Sequence, residues 1–180
     1  MTGPQTTQLL EGKKSAAAIR EEAAAMVQEL RAAGTVPGLA LVLATADESA
    51  AWYTRSIVRA GEKIGIDVRV ERLADDAPAG GVRSALVRLS TDDTVHGIIL
   101  QTPLPPGCDV VEVAGAIAPE KDVDGANPVS LGRLTAGLPA FAPATAAAVL
   151  RLLDAVGGLE RAMQQADDVA ARIVERLKNK

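Results

Sequence analysis

Leu39-Ala-Leu-Val-Leu-Ala44, followed after two residues by Asp47-Glu-Ser-Ala-Ala-Trp-Tyr-Thr-Arg-Ser-Ile-Val-Arg59, decides the fold of this chain. Six apolar residues in a row leave a strand no polar face, which is how a parallel strand covered by helices on both sides reads. The next residues, Glu48 to Ile64, carry helix formers and an apolar stripe, so a strand runs directly into a helix. The only Trp and the only Tyr, Trp52 and Tyr53, stand side by side just past that junction, where open α/β sheets build ligand sites. One reading makes the pair the floor of a site for a flat ligand. The other has Trp52 filling core with Tyr53 capping it.

Working outward, Lys14 to Ala33 reads as a helix with Ile19, Ala23, Met26 and Leu30 on one stripe and Gly34 as its stop. Asp67-Val-Arg-Val-Glu-Arg-Leu73 alternates apolar and charged residues as an outer strand does. Asp75 to Gly81 is a loop, and Val82, Leu86 and Leu89 mark a helix ending near Ser90. His96-Gly-Ile-Ile-Leu-Gln101 is a second buried strand, ended by Thr102-Pro-Leu-Pro-Pro-Gly107, whose prolines fit neither strand nor helix. A short helix is expected over Asp109 to Ala118 with Val110, Val113 and Ile117 inward, then a loop from Pro119 to Pro128, irregular chain from Leu131 to Pro143, and a helix from Ala146 to Val156. The rhythm is βαβ: an α/β three-layer sandwich, its sheet mostly parallel and helices on both faces. After Gly157-Gly158, the positions Leu159, Met163, Ala166, Ala170, Ile173 and Leu177 predict a long amphipathic C-terminal helix with a narrow seam. Residues 1–156 are thus expected as one domain and 157–180 as a helical arm.

With 180 residues, nearly half of them apolar, and a net charge of −4, the chain has a real core and no basic stripe broad enough for a nucleic-acid backbone. A lone cysteine, Cys108, excludes an internal disulfide framework. With no apolar signal core and no bilayer-spanning segment, the expected location is cytoplasmic, without membrane partners.

Chemistry is expected at three loops read as carboxyl ends of strands: the turn before Trp52-Tyr53, the exit Gln101-Thr-Pro-Leu-Pro105, and Lys121-Asp-Val-Asp-Gly125. Gln101 offers donor and acceptor, and the prolines hold a pocket wall still. Asp124 can accept hydrogen bonds from an amino-bearing heterocycle. Asp122 and Asp124 equally suit a turn, which a lone Asp-Val-Asp forms far more often than a metal site. His96 has no second ligand at metal spacing. No G-x-G-x-x-G, P-loop or G-x-S-x-G is present.

Together, Leu10-Glu-Gly-Lys13, Pro37-Gly-Leu-Ala40, Tyr53, Gly97-Ile-Ile-Leu-Gln-Thr-Pro-Leu-Pro105, Lys121-Asp-Val-Asp-Gly125 with Pro128, and Gly132-Arg-Leu134 resemble the catalytic domain of bifunctional methylenetetrahydrofolate dehydrogenase/cyclohydrolases, from about residue 8 to about residue 153. The resemblance implies a one-carbon tetrahydrofolate pocket. In it Tyr53 stacks on the ring system, Gln101 and the Pro103-Leu104-Pro105 wall line the site, and Asp124 meets the pterin's amino edge. Gln101 and Asp124 are the expected catalytic groups. A homodimer is also implied.

Departures bear on activity. The family's Tyr-x-x-x-Lys motif, whose lysine moves protons at the bridging carbon, has Ile57 at the lysine position. The motif serine is Ala50, the His-Pro after Asp-Gly is Asn127-Pro128 with Ser130 following, and Pro-Cys-Thr-Pro is Pro143-Ala-Thr-Ala146. From Gly157 the sequence no longer follows the family into its NADP- or NAD-binding Rossmann domain, so no cofactor is expected and the dehydrogenase half-reaction should be lost. The leading expectation is a truncated folate-binding domain with weak or absent cyclohydrolase activity. Beside it stand a non-enzymatic structural or engineered module, and a cyclohydrolase using another base.

Overall fold

In the computed structural model, which describes residues 11–158, the apolar run becomes the middle strand of a three-stranded parallel sheet. Strand β1 (Gly38–Leu43) lies between β2 (Asp67–Arg72) and β3 (Gly97–Gln101), in the order β2-β1-β3. Six helices complete the described chain: α1 (Gly12–Ala32), α2 (Glu48–Ile64), α3 (Ala79–Thr91), α4 (Val110–Ala114), α5 (Pro128–Thr135) and α6 (Ala144–Asp154), with a 3-10 turn at Pro119–Lys121. The C-terminal amphipathic helix expected from Leu159 onward lies outside the described residues.

Strand period and register separate the two faces of the sheet. Ala40 and Val42 pair with Ile98 and Leu100, and with Ala44 they meet Val82, Leu86 and Leu89 of α3 and Val113 and Ala114 of α4. On the other face, Leu39, Leu41 and Leu43 stand in rows with Val68, Val70 and Arg72 of β2 and with Gly97, Ile99 and Gln101 of β3. Helix α2 covers that face: a Cβ on Gly61 would come within 2.6 Å of Val68 Cγ2, so helix and strand meet where there is no side chain between them. Helices on both faces make the expected three layers.

Helix α2 keeps its predicted bounds because both ends are chemically marked. Asp47 caps its N-terminus, accepting from Ala50 N–H at 2.8 Å and from the Ser49 hydroxyl. Gly65, at φ 92°, closes the other end in the left-handed conformation that glycine adopts without strain. Its inward stripe is Ala50, Thr54 and Gly61, with half-buried Ile57 beside them.

The chain forms two compact units, residues 20–144 and, among the described residues, those before 20 together with those after 144. In the second, the start of α1 approaches α6, where a Cβ on Gly12 would lie 3.6 Å from Leu152 Cδ2. In the first, the α1 residue Arg31 donates to Gly65 O at 2.7 Å, and Val27 is the buried residue of that helix.

Four local expectations are corrected. The stripe Ile19, Met26 and Leu30 on α1 is exposed, because Val27, about 100° round the helix from Met26, faces inward. Val110 is also exposed: α4 ends at Ala114, and Val113 and Ile117 do the burying. The stretch from Leu131 is not irregular throughout, since α5 runs from Pro128 to Thr135. Asn127 Oδ1 accepts from Val129 N–H at 2.7 Å and Pro128 takes the first helical position, a start signal read as a loop. Finally, Trp52 does not fill core and is 65% exposed.

Two substitutions test this packing. Leu86→Ala should cost about 2–5 kcal/mol by removing buried methyls between α3 and β1–β3. Thr54 is buried with its hydroxyl unpartnered among the described residues, so near-isosteric Thr54→Val should raise stability by about 1 kcal/mol in urea denaturation. A loss on Thr54→Val would show that the hydroxyl has a partner.

Candidate functional site

Each residue of Lys121-Asp-Val-Asp-Gly125 except one has a structural task. Lys121 Nζ donates to the carbonyl of Asp92 at 2.8 Å, tying the segment to the turn before β3. Asp122 is fully buried, and its two carboxylate oxygens accept from Ala126 N–H and Asn127 N–H, each at 2.9 Å. Val123 packs on Gly97, where a Cβ would lie 2.8 Å from its Cγ1. Gly125, at φ 66°, turns the chain where a Cβ would strike the backbone of Ala142 and Pro143 within 2.5–2.8 Å. Asp124 is left over. Its carboxylate is half-buried with no hydrogen-bond or ion-pair partner among the described residues, and burial first, then the Asp122 charge, push its pKa above the usual 3.8. An unpartnered carboxylate held this way can accept a hydrogen bond from a donor outside the protein.

The segment sits differently from its expected position. It follows the 3-10 turn, not a strand, and through Val123 it lies against the first residue of β3, on the face that α2 covers. Gln101 is at the other end of β3 on the same face, in the row Arg72–Leu43–Gln101 that closes the sheet at its carboxyl edge. Its Nε2 donates to Thr102 O at 3.3 Å, and the Thr102–Pro103 peptide is cis. Pro103 is exposed, Leu104 packs against the core and Pro105 is buried. The exit from β3 is therefore anchored in the core while its first residues face solvent.

Tyr53 lies in the second turn of α2, 52% exposed, one helical turn from Ile57. Sequence reasoning missed Arg72, which stands in the row with Leu43 and Gln101 and whose guanidinium has no partner among the described residues. The alternation Val68, Val70, Arg72 already put it on the face of the site. His96 is structural: its Nδ1 accepts from Gly38 N–H at 3.0 Å, joining β3 to β1.

The turns that leave these strands carry acidic residues and prolines. After β1 the turn is Ala44-Thr-Ala-Asp47, and the Asp47 carboxylate, its pKa lowered first by the Ser49 hydroxyl and then by Ala50 N–H, already occupies the start of α2. After β2 come Asp75, Asp76 and Pro78, and after β3 the prolines.

The family model for the catalytic domain of tetrahydrofolate dehydrogenase/cyclohydrolase matches residues 10–124. The bifunctional protein FolD 1 of Saccharopolyspora erythraea is 57% identical over 148 residues, covering 82% of this chain and 50% of that protein. FolD 1 of Rhodococcus jostii is 55% identical over the same shares. Among solved structures, the bifunctional FolD enzyme methylenetetrahydrofolate dehydrogenase/cyclohydrolase of Campylobacter jejuni superposes with a TM-score of 0.80 at 33% identity, over 85% of this chain and 55% of that one. The methylenetetrahydrofolate dehydrogenase of the silkworm Bombyx mori gives 0.79 at 31% identity, over 84% and 53%. The chain spans about half the length of these relatives, and by the family match, the identities and the shared fold it belongs to the tetrahydrofolate dehydrogenase/cyclohydrolase family through its catalytic domain.

Proposed function

We propose that this chain binds a one-carbon tetrahydrofolate through Asp124, Tyr53, Gln101 and the Pro103–Pro105 wall, and hydrolyses its methenyl bridge weakly or not at all. The observation that carries the reading is Asp124, whose half-buried carboxylate has no partner among the described residues. An amino-bearing pterin edge supplies the donors that a lone carboxylate lacks. Tyr53 offers an exposed ring for stacking, and Gln101 offers a donor and an acceptor at the carboxyl edge. Ile57 stands one turn from Tyr53, where the family resemblance expects lysine. An alkyl side chain moves no proton, so general acid–base help worth about a hundred- to ten-thousand-fold is missing. Arg55 and Arg59 lie on the exposed side of α2, away from Ile57, and do not replace it. Binding by these residues requires no dinucleotide, and a homodimer remains part of the proposal.

Tetrahydrofolate without any nicotinamide nucleotide should raise the melting temperature in proportion to the logarithm of its concentration. No shift at millimolar ligand removes the folate reading. Affinity should fall on acidification, and at a higher pH than an ordinary aspartate would give, because protonation of Asp124 destroys the acceptor. Asp124→Asn should weaken binding and flatten that profile. The same substitution should stabilise the unliganded protein at neutral pH. The native state disfavours the ionised carboxylate, so the advantage appears as pH rises above 3.8 and vanishes below it, as urea midpoints will show.

Ile57→Lys should accelerate methenyl-tetrahydrofolate hydrolysis by about a hundredfold or more over the unaltered chain, measured as decay above the spontaneous rate. Unchanged decay with folate bound would place the defect elsewhere than at residue 57.

A further inference from the structure

A cavity of about 460 Å³ is lined by Pro119, Glu120, Arg133, Pro139, Ala140 and Phe141, all within residues 20–144. Its size is that of a small-molecule site. Three rings form the apolar wall: the pyrrolidines of Pro119 and Pro139, and the side chain of Phe141, the sole phenylalanine of the chain, which is 42% exposed. Two opposite charges line the same cavity without meeting. Glu120 and Arg133 form no ion pair with each other, and Glu120 has no hydrogen-bond partner for its side chain among the described residues. Arg133 Nε donates to Pro139 O at 3.0 Å, which staples the loop to α5 and orients the guanidinium plane. Its two terminal nitrogens, the end of the fork that takes a carboxylate in bidentate fashion, are left over.

We infer that this cavity binds a free aromatic amino acid, with its carboxylate on Arg133, its ammonium on Glu120 and its ring against Phe141 and the two prolines. An ammonium and a carboxylate borne on one carbon bridge two protein charges that stand too far apart to pair directly. The ring stacks offset or edge-on against Phe141. None of these residues belongs to the folate reading above, so either stands without the other. Both walls of the cavity nevertheless lead to Asp124. Pro119 and Glu120 open the 3-10 turn that runs into Lys121-Asp-Val-Asp124, and Pro139 to Phe141 run into Ala142 and Pro143, against whose backbone Gly125 turns. Ala144 N–H closes the connection by donating to Asp124 O at 3.2 Å. A ligand that joins the walls restrains the backbone of Asp124 from both sides, so occupancy of the cavity and the order of that segment are linked.

Because Phe141 is the sole phenylalanine, labelling with 4-fluorophenylalanine places a single fluorine resonance in the cavity wall. L-Tryptophan should shift that resonance saturably with a Kd of about a millimolar, as a small ligand held by exposed charges gives. Tryptamine, which lacks the carboxylate, and indole-3-propionate, which lacks the ammonium, should each bind about threefold more weakly. E120Q alters an exposed side chain with no protein partner, and in it tryptophan and indole-3-propionate should bind alike. In R133Q, tryptophan and tryptamine should bind alike. Equal binding of all three ligands by the unaltered chain, or a preference for the ammonium that survives in E120Q, shows an apolar cavity only and overturns the inference. So does the absence of a saturable shift at about ten millimolar tryptophan. Saturating tryptophan should also slow amide hydrogen exchange at Ala144 by about twofold or more. Unchanged exchange with the cavity occupied removes the link to Asp124 and leaves the site.

Discussion

The residues between 20 and 144 depend on one constraint, that β1 has no side chain able to face water. Ala40 to Ala44 are all essentially buried, so both faces of the sheet must be covered. Burial of side chains the size of Leu41, Leu43, Leu86 and Ile98 is worth about 1.5–3 kcal/mol each, and only helices on both sides collect it. Parallel pairing then demands crossovers, and the crossovers are the helices. The carboxyl edge where Gln101, Leu43 and Arg72 align follows from this arrangement rather than from any residue of the site itself.

The two aspartates of the Lys121–Gly125 segment show how environment separates identical side chains. Asp122 spends both oxygens on backbone N–H groups that would otherwise be unsatisfied in the interior, so its charge is the price of a fixed turn. Asp124, two residues on, meets no donor among the described residues, and the charge of Asp122 adds to the effect of its own burial. Asn127 extends the same construction by donating to Ile117 O at 2.6 Å and capping α5 through its oxygen. The rigidity around Asp124 therefore comes from the hydrogen bonds of Asp122 and Asn127.

Patterns that depend on neighbours in sequence were legible. The β1 run, the bounds of α2 and the inward Val82, Leu86 and Leu89 needed only period, caps and breakers. Residues whose fate depends on what lies across from them were not. Met26 and Val27 are equally apolar, and only the position of Gly65 settles which is buried. The core reading of Trp52, the usual one for a large aromatic residue, fails because the inward stripe of α2 is made of Ala50, Thr54 and Gly61, and at Gly61 the helix comes too close to β2 for a large side chain. The Lys121–Gly125 segment was legible as a site candidate but not in its placement, since no local signal shows that Val123 reaches the beginning of β3.

Helix α2 joins these threads. Its close approach to β2 at Gly61 fixes its rotation, and every other position follows at about 100° per residue. Thr54 is thereby forced inward without a partner, Ile57 is held at the margin of the core, and Tyr53 is left at the edge between core and solvent. An amine at position 57 would have to emerge along that margin, which a lysine stem permits because it covers apolar surface while its end reaches water. The isoleucine instead adds to the packing that holds the helix. At this position an apolar side chain therefore serves the rotation of α2 that Gly61 sets.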